Sequence, residues 1–571
     1  MEIQVFNSLD DILPYRDIWD GILSDIDSNI VYAKLEWLYM WWQYHGRDIK
    51  PFILTLIEDG EIVGFCPLMK VSKRGYEEIR FIGGDEAGSM EFIIKKAYRV
   101  QGIEKILDYL INMNGRFVIN LHGLLKGYDG YYAVKQYLSN NKWHFFETSL
   151  KCFYTNIDAQ NFYDYMRKQL SRKSIGTMKR KENRLKRLGR ISFSPFEGGA
   201  DELETIFDIH DRRWQRKIGS SKFSEGATRE FFKELVLAKG LPFKVHVDII
   251  DLDGRTISFI YGFEYKGRYT FYRIGHDDNF GMFSPGEMVL REKIRDCFEK
   301  GICVFDFGLG YEPYKAMWAS NSLDVANFVF PANNLFSRLV YNIRRIKLNI
   351  RQFLKGIPWL YHFVKYKLGK FKFLLYPDNI KRSAKRAFRT LRDRGEKVLT
   401  FIYWRQNYYI MRKNLKQLRG DGGRVYKVEE TSAAGQLELL LDITRMEAQD
   451  ILRRFLKGDR CILVYTHRDI HCLWFDLSDM NISKIRYSCP MDKGSVFLYE
   501  HGTVGREKKL NRHVLYSALE YLKKAGFNAC CIAVREKNHL LINQLKREGF
   551  KKIRYVRYTK WFGKPACRVY Q

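Results

Sequence analysis

The stretch RYTFYRIGHDDNFGMFSPGEMVLREKIRDCFEK, residues 268–300, decides how the rest of the chain is read. Tyr269–Arg273 has the aromatic, alternating pattern of a strand, and Ser284–Cys297 has helical periodicity. Ser284 suits a helix N-cap, and Pro285 suits the first helical position, where its fixed φ and missing N–H do no harm. A strand that runs into a helix N-terminus aims unbonded backbone N–H groups at one spot, a ready site for an anion such as a pyrophosphate.

Working outward, Phe243–Ile250 and Thr256–Tyr265 read as a hairpin around Asp251–Gly254, and Arg268–Ile274 extends the sheet across a Lys266-Gly267 turn. Downstream, Cys303–Phe307 is a short buried strand, followed by a helix from about Glu312. From Glu2 to about Cys152 strands and helices alternate, with the turn Glu58-Asp59-Gly60 marking a tight hairpin. Trp37, Trp41 and Trp42 fall at helical spacing and are expected in the core. A basic helical segment, Lys168–Arg190, joins this part to the middle. Residues 335–419 then carry 23 Lys or Arg against 3 Asp or Glu. Beyond them a second compact pattern of strands and helices runs from Val425 to the end.

At 571 residues the chain exceeds what one hydrophobic core serves. Hydrophobic residues make up 46% of it, enough for several packed units. The net charge of +31 favours phosphate-bearing partners: nucleic acid, anionic lipid or a phosphorylated substrate. The ten cysteines are scattered without a CxxC pair, so neither a zinc ribbon nor a disulfide framework is indicated, and reduced cysteines suit the cytoplasm. The acidic N-terminus lacks the regions of a signal peptide, and no segment reaches the roughly 20 apolar residues of a bilayer span. There is no HExxH, Walker loop, GxSxG or EF-hand pattern, and no metal is implied.

Ser284-Pro-Gly286, Phe305-Asp-Phe-Gly308 and Glu312-Pro-Tyr-Lys315, with Arg212-Arg-Trp214 upstream, resemble the acetyltransferase domain of the cellulose-biosynthesis family over roughly Glu2–Pro331. The resemblance implies a tandem GNAT arrangement, related at fold level to the Fem aminoacyl transferases, with acyl-CoA, foremost acetyl-CoA, as donor. It places the donor's pyrophosphate near Phe283, Ser284, Gly286 and Glu287, with Arg273 on the preceding strand as a further cofactor contact. Direct acyl transfer needs a base or orienting group for the acceptor and a proton for the leaving thiolate. His276 and Asp306 are the expected base or orienting groups, Tyr314 and Lys315 the expected proton donor or anion contact, and Arg212 and Arg213 the expected hold on an anionic acceptor.

A second resemblance lies in the C-terminal part. Val534-Arg-Glu-Lys-Asn538, before a helix ending at Glu548-Gly-Phe550, looks like the late strand and helix of ordinary GNAT enzymes, with Asn538 near the cofactor arm. In its phosphate loop Lys509 and Asn511 stand where small residues are expected, while Arg506, Lys508 and Lys509 supply charge instead. Glu500 is the general-base candidate there, and the unit reads equally as catalytic or as a degenerate copy.

The expected architecture is therefore α+β, with tandem GNAT-like folds whose mixed central sheets are flanked by helices. The units are 1–152, 153–334 with the cofactor motifs, a basic amphipathic helical connector 335–422, and 423–571. The expected reaction moves an acyl group to an amine or hydroxyl of a sugar, lipid-linked sugar or envelope precursor. The alternatives are a Fem-like transferase using aminoacyl-tRNA and a non-catalytic scaffold. Phe336, Val340, Ile343, Ile346, Ile350, Phe353 and Ile357 form a helical apolar stripe, so 335–419 is expected to hold the protein on the inner face of the cytoplasmic membrane, with tRNA the less favoured partner.

Overall fold

The computed structural model describes residues 1–158, 161–218, 221–224, 226–355, 403–418, 425–482, 485, 487–504, 510–561 and 564–570. The first thirteen strands are β1 (Glu2–Phe6), β2 (Ile49–Glu58), β3 (Glu61–Lys73), β4 (Tyr76–Phe81), β5 (Ile93–Ile94), β6 (Phe117–Leu125), β7 (Phe146–Asn156), β8 (Ile191–Pro195), β9 (Lys244–Leu252), β10 (Arg255–Tyr265), β11 (Arg268–His276), β12 (Val304–Leu309) and β13 (Asn321–Pro331). They form one sheet in the order β1-β2-β3-β4-β6-β13-β7-β12-β11-β10-β9-β8, with β5 beside β3. Three of its hairpins turn on Asp59-Gly60, Asp253-Gly254 and Lys266-Gly267, each pair at positive φ, the conformation that matches the twist of antiparallel strands.

The remaining strands are β14 (Tyr403–Asn414), β15 (Lys427–Glu430), β16 (Arg460–Tyr465), β17 (Ile470–Asp476), β18 (Asp479–Ile482), β19 (Tyr487–Pro490), β20 (Ser495–Val504), β21 (Ala529–Arg535), β22 (Lys551–Trp561) and β23 (Lys564–Tyr570). Eight of them make a second sheet, β15-β16-β17-β20-β21-β14-β22-β23, and β18 pairs β19 separately. The expected mixed sheets flanked by helices are what the chain forms. By charge residues 403–414 belong to the expected helical connector, yet they form β14, which lies between β21 and β22. Its ladder partners and the burial of Tyr408, Ile410 and Met411 outweigh its basic residues.

Among the described residues the parallel pairings are β4 with β6, β11 with β12 and β20 with β21, one for each α+β unit. The first two units interlock. β7 pairs β12 of the middle unit, and β13, which ends the middle unit, pairs β6 of the first. The division drawn at 152/153 thus falls within β7, and neither half of the sheet is complete without the other's strand. Trp37 and Trp41 are buried as expected, with Trp42 partly so, and Trp37 meets Phe231 edge to face across the two units.

The far face of the middle unit shares a core with the C-terminal part. Leu437, Leu440 and Ile451 cluster with Phe280 and Phe283, and Glu438 accepts from Arg255 at 2.9 Å and Asn279 at 3.0 Å. The connector begins as helix Leu335–Lys355. It is fastened to the first sheet by Tyr341 and by an Arg344–Glu78 ion pair of 2.9 Å. Its outward apolar residues are Leu335, Leu339, Ile343, Ile346, Ile350 and Phe353. Phe336 and Val340 turn away from that stripe, Phe336 meeting the Arg116 guanidinium and Val340 packing by Tyr341, which corrects the expected phase of the stripe. Ile357 and residues 356–402 lie outside the described residues, as does the boundary at 422/423.

Each unit also carries a histidine whose affinity for protons is lowered chiefly by burial: His122 to about 4, His210 to about 3 and His501 to about 4. In the unfolded chain these sites bind protons near the ordinary value of about 6.5. Between the two values the unfolded chain holds more protons, so stability is fully present above about pH 6.5 and is lost as pH falls through this window. The urea midpoint is expected to drop between about pH 7.5 and about pH 4.5, and His210→Gln is expected to shrink that drop.

Candidate active site

The middle unit opens between β11 and β12. Their ladder is short: Arg268, Tyr269 and Thr270 face Val304, Phe305 and Asp306, and the pairing then stops. Both strands bulge immediately afterwards. Along β10 the register runs from Gly262 opposite Phe271 to Tyr261 opposite Arg273, so Tyr272 is an extra residue on β11. Along β7, Asp306 faces Tyr154 and Leu309 faces Cys152, so β12 also carries one residue too many. A bulge bends and twists its strand, and two facing bulges drive the strands apart. Gly262 and Gly308 make this geometry available. A Cβ on Gly262 would stand 2.5 Å from the Tyr269 ring, and Gly308 has φ of +72° with Phe271 O 3.0 Å from where its Cβ would be.

The last paired rung is pinned by a buried ion pair. Arg268 Nη2 reaches Asp306 Oδ2 at 2.6 Å and its Nε reaches the same oxygen at 3.2 Å. Asp306 Oδ1 accepts from Gly308 N at 2.7 Å and from Cys152 Sγ at 3.2 Å. A carboxylate accepting from these four donor atoms ties β11, β7 and the Gly308 turn together, a bonding pattern that suits an orienting group more than a base, the two roles expected from the sequence.

Below the gap, Arg213 joins His276 and Asp278, the latter at 3.1 Å, while Arg212 is exposed and donates to the backbone oxygen of Asp208. A guanidinium can only donate, so in this contact His276 Nε2 is the acceptor. His276 Nδ1 lies 2.8 Å from where a Cβ on Gly286 would be, at the N-terminus of helix Pro285–Glu299. The His276 ring thus sits against the helix end with Nε2 turned to Arg213. Ser284 stands at the N-cap position as expected, but in left-handed backbone (φ 57°, ψ 53°), and its hydroxyl accepts from Lys181 Nζ at 2.7 Å in place of a first-turn N–H. Lys181 also lies 4.0 Å from Glu287, and Phe283 is fully buried beneath the loop.

On the β12 side, Lys315 is buried and donates to Leu309 O at 2.8 Å, with its ammonium over the Phe271 ring. Burial, opposed by Glu312 and Asp306, lowers its pKa. The Tyr314 hydroxyl is shifted the other way, by burial and then by Glu312, with Arg273 and Arg213 acting against that rise. The same two arginines, after burial, depress His210. Arg213, Arg273, Lys315, Tyr314 and His276 thus gather around one gap, and of the expected acceptor contacts only Arg213 faces it.

The other two units repeat the parallel pair with different outcomes. In the first, β6 bulges at His122-Gly123, and the chain itself enters there: Met90 N donates to Gly123 O at 2.9 Å, and Met90 and Phe92 are buried. In the third, Tyr499 is the extra residue on β20, directly after the last rung Leu498–Ile532. Glu500 is paired with Arg454, and Asn538 caps helix His539–Arg547 by accepting from Leu541 N at 3.2 Å. Arg506, Lys508 and Lys509 lie outside the described residues.

Residues 172–316, which hold this gap and the helix after it, match the model of an acetyltransferase (GNAT) domain. No curated protein matches the chain. Among solved structures it is similar to a FemX crystal structure, at 11% identity and a TM-score of 0.44 over 60% of this chain and 100% of that one. It is similar to L-PGS from Bacillus licheniformis at 11% identity and a TM-score of 0.35, covering 57% and 96%. A tandem GNAT protein from the clavulanic acid biosynthesis pathway matches at 9% identity and a TM-score of 0.33, covering 57% and 98%.

The sequence missed the Tyr272 bulge, the Lys181 bond to Ser284 and the Arg268–Asp306 pair. A signal for the last was present: an aspartate between Phe305 and Phe307 in a buried strand needs a cation beside it. Asp306→Asn is expected to lower stability by about 3–5 kcal/mol, because it strands a buried guanidinium. Denaturant unfolding checks this, and Asp306→Asn with Arg268→Met is expected to recover part of the loss.

Proposed function

We propose that the gap between β11 and β12 is an acyltransferase site that uses acyl-CoA, with acetyl-CoA as the first donor to test. The observation that supports this reading is the pair of facing bulges, which opens a sheet directly above a helix N-terminus inside the acetyltransferase-like segment. The residues present fit such a donor. Gly308 leaves the gap clear of a side chain, the first turn of the helix supplies N–H donors for a pyrophosphate, and Arg213 and Arg273 add positive charge.

Bound there, the donor would supply a thioester carbonyl. The acceptor amine or hydroxyl forms the new bond to that carbon while the C–S bond breaks, and the departing thiolate needs a proton. Tyr314, whose raised pKa keeps its hydroxyl protonated, donates from Oη to the thiolate, and the phenolate so formed takes up the proton that the acceptor amine or hydroxyl releases. Lys315, held by Leu309 O, places its ammonium where negative charge develops. The acceptor class is an amine or hydroxyl on a sugar, lipid-linked sugar or similar envelope precursor.

The lipid-linked acceptor draws support from helix Leu335–Lys355, whose exposed stripe Leu335, Leu339, Ile343, Ile346, Ile350 and Phe353 is flanked by exposed Arg338, Arg345 and Lys347. Such a face suits an anionic membrane surface, each cation contributing on the order of 1 kcal/mol near it. No helix among the described residues is long and apolar enough to cross a membrane.

Calorimetry with acetyl-CoA tests the site. Gly286→Ala, which sets a methyl against His276, is expected to weaken binding by about tenfold, or about 1.4 kcal/mol. Undiminished binding would move the donor elsewhere, and tight binding of charged tRNA without acetyl-CoA binding would favour the aminoacyl-transfer alternative. In turnover assays Tyr314→Phe is expected to lower kcat by on the order of a hundredfold with the acetyl-CoA Kd unchanged. Because burial lowers the Lys315 pKa, activity is expected to decline on the alkaline side below the ordinary lysine value of about 10.4, and Lys315→Arg is expected to remove that limb. Sedimentation with anionic vesicles at low salt checks the helix. Ile346→Asp with Ile350→Asp is expected to abolish it, and no sedimentation of the unaltered protein would end the membrane reading.

A further inference from the structure

A cleft of small-molecule size lies apart from the gap between β11 and β12. Helices Phe162–Gln169 and Arg172–Lys186 lean over the edge strand β8 and its neighbour β9 and, with the flank of helix Pro285–Glu299, bound a cleft of about 680 Å³. That size lies within the range of small-molecule sites, about 300–1,000 Å³. Nothing in the acyl-transfer reading uses it.

The lining is two-sided in chemistry. Its floor is built from Met166, Ile175, Met178, Phe193, Ile250 and Met288. Three of these are methionines, whose unbranched and polarizable side chains adapt to a flexible hydrocarbon better than branched ones do. Its charged lining is mostly cationic, with Arg167, Lys179, Lys186, Arg291 and Arg295 against Glu182 and Glu292.

The two carboxylates are already committed. Glu182 holds Lys186 at 2.6 Å and Arg291 at 2.9 Å, and Glu292 holds Arg291 and Arg295. Arg167 and Lys179 are not neutralised in this way. Arg167 is exposed, its ion pair being a long one to Asp164 at 3.8 Å, and Lys179 is exposed and enters no ion pair among the described residues. An apolar floor with two uncommitted cations at its edge favours a ligand with hydrocarbon at one end and an anion at the other. A guanidinium and an ammonium together favour the several oxygens of a phosphate.

We propose that this cleft binds a single-chain amphiphile with a phosphate head group, its chain on the methionine-rich floor and its phosphate at Arg167 and Lys179. The site stands independently of the acyl-transfer reading and holds whether or not the β11/β12 gap is catalytic.

The test is calorimetry on the full chain, below the micelle concentration, with four probes: 1-palmitoyl-glycerol 3-phosphate, palmitate, 1-palmitoyl-glycerol and inorganic phosphate. The phosphate amphiphile is expected to bind saturably, at least about tenfold tighter than palmitate or 1-palmitoyl-glycerol, with no saturation by inorganic phosphate. Lys179→Glu, at an exposed position that folding does not need, is expected to weaken it about tenfold. Met178→Trp, which fills the floor, is expected to abolish binding while an unchanged melting temperature shows that the variant folds. Equal binding of 1-palmitoyl-glycerol would overturn the head-group assignment, and equal binding of palmitate would overturn the choice of phosphate. Unchanged affinity in Lys179→Glu, or in a folded Met178→Trp, would overturn the site itself.

Discussion

The Arg268–Asp306 ion pair is the contact on which the middle unit depends. It ties the first rung of a parallel ladder only three residues long to the last, and everything beyond that ladder is held open by one extra residue in each strand. Burying two charges is costly unless every remaining hydrogen-bonding position is filled, and here Gly308 N and Cys152 Sγ fill those of the carboxylate. Cys152 comes from β7, which enters from the first unit, so the interlocking of the two units and the opening of the gap are one structural fact. Its thiol is raised by burial and then by Asp306, which keeps it a donor.

The three units show what a shared strand pairing does and does not confer. All have a parallel pair that ends early, but the first is filled by its own Met90 segment and the third has its carboxylate tied to Arg454 over Trp474 and Tyr499. In the middle unit the described residues bring a helix N-terminus, cationic side chains and a gap together. The third unit contributes from outside: Glu438 and the Leu437–Leu440 face brace the loop Asp278–Phe283 that leads into that helix. Ser284 in left-handed backbone is the strained link between that braced loop and the helix, and strain of this kind persists where its surroundings fix it.

Much of this was legible in the sequence because it is local. The Asp-Gly and Lys-Gly turns, the tryptophan helix and the strand-to-helix junction at Pro285 follow from backbone preferences and periodicity, and the structure has them all. What escaped was set by partners distant in sequence. β14 reads as part of a basic connector because its neighbours β21 and β22 lie more than a hundred residues downstream. The role of Asp306 depended on Arg268 and Cys152, and that of Ser284 on Lys181. A bulge such as the one at Tyr272 has no residue signature of its own, and the one hint, Gly262 on the adjoining strand, gains meaning only once the register is known.

The central claim is that the opening between β11 and β12, and neither of its counterparts, receives the donor. Hydrogen–deuterium exchange on the full chain with and without saturating acetyl-CoA tests it most directly. The account predicts slowed exchange in Arg268–His276, in the first turn after Ser284 and in Val304–Lys315. Protection confined to Ser495–Val504 and Ala529–Arg535, or none at all, would contradict it.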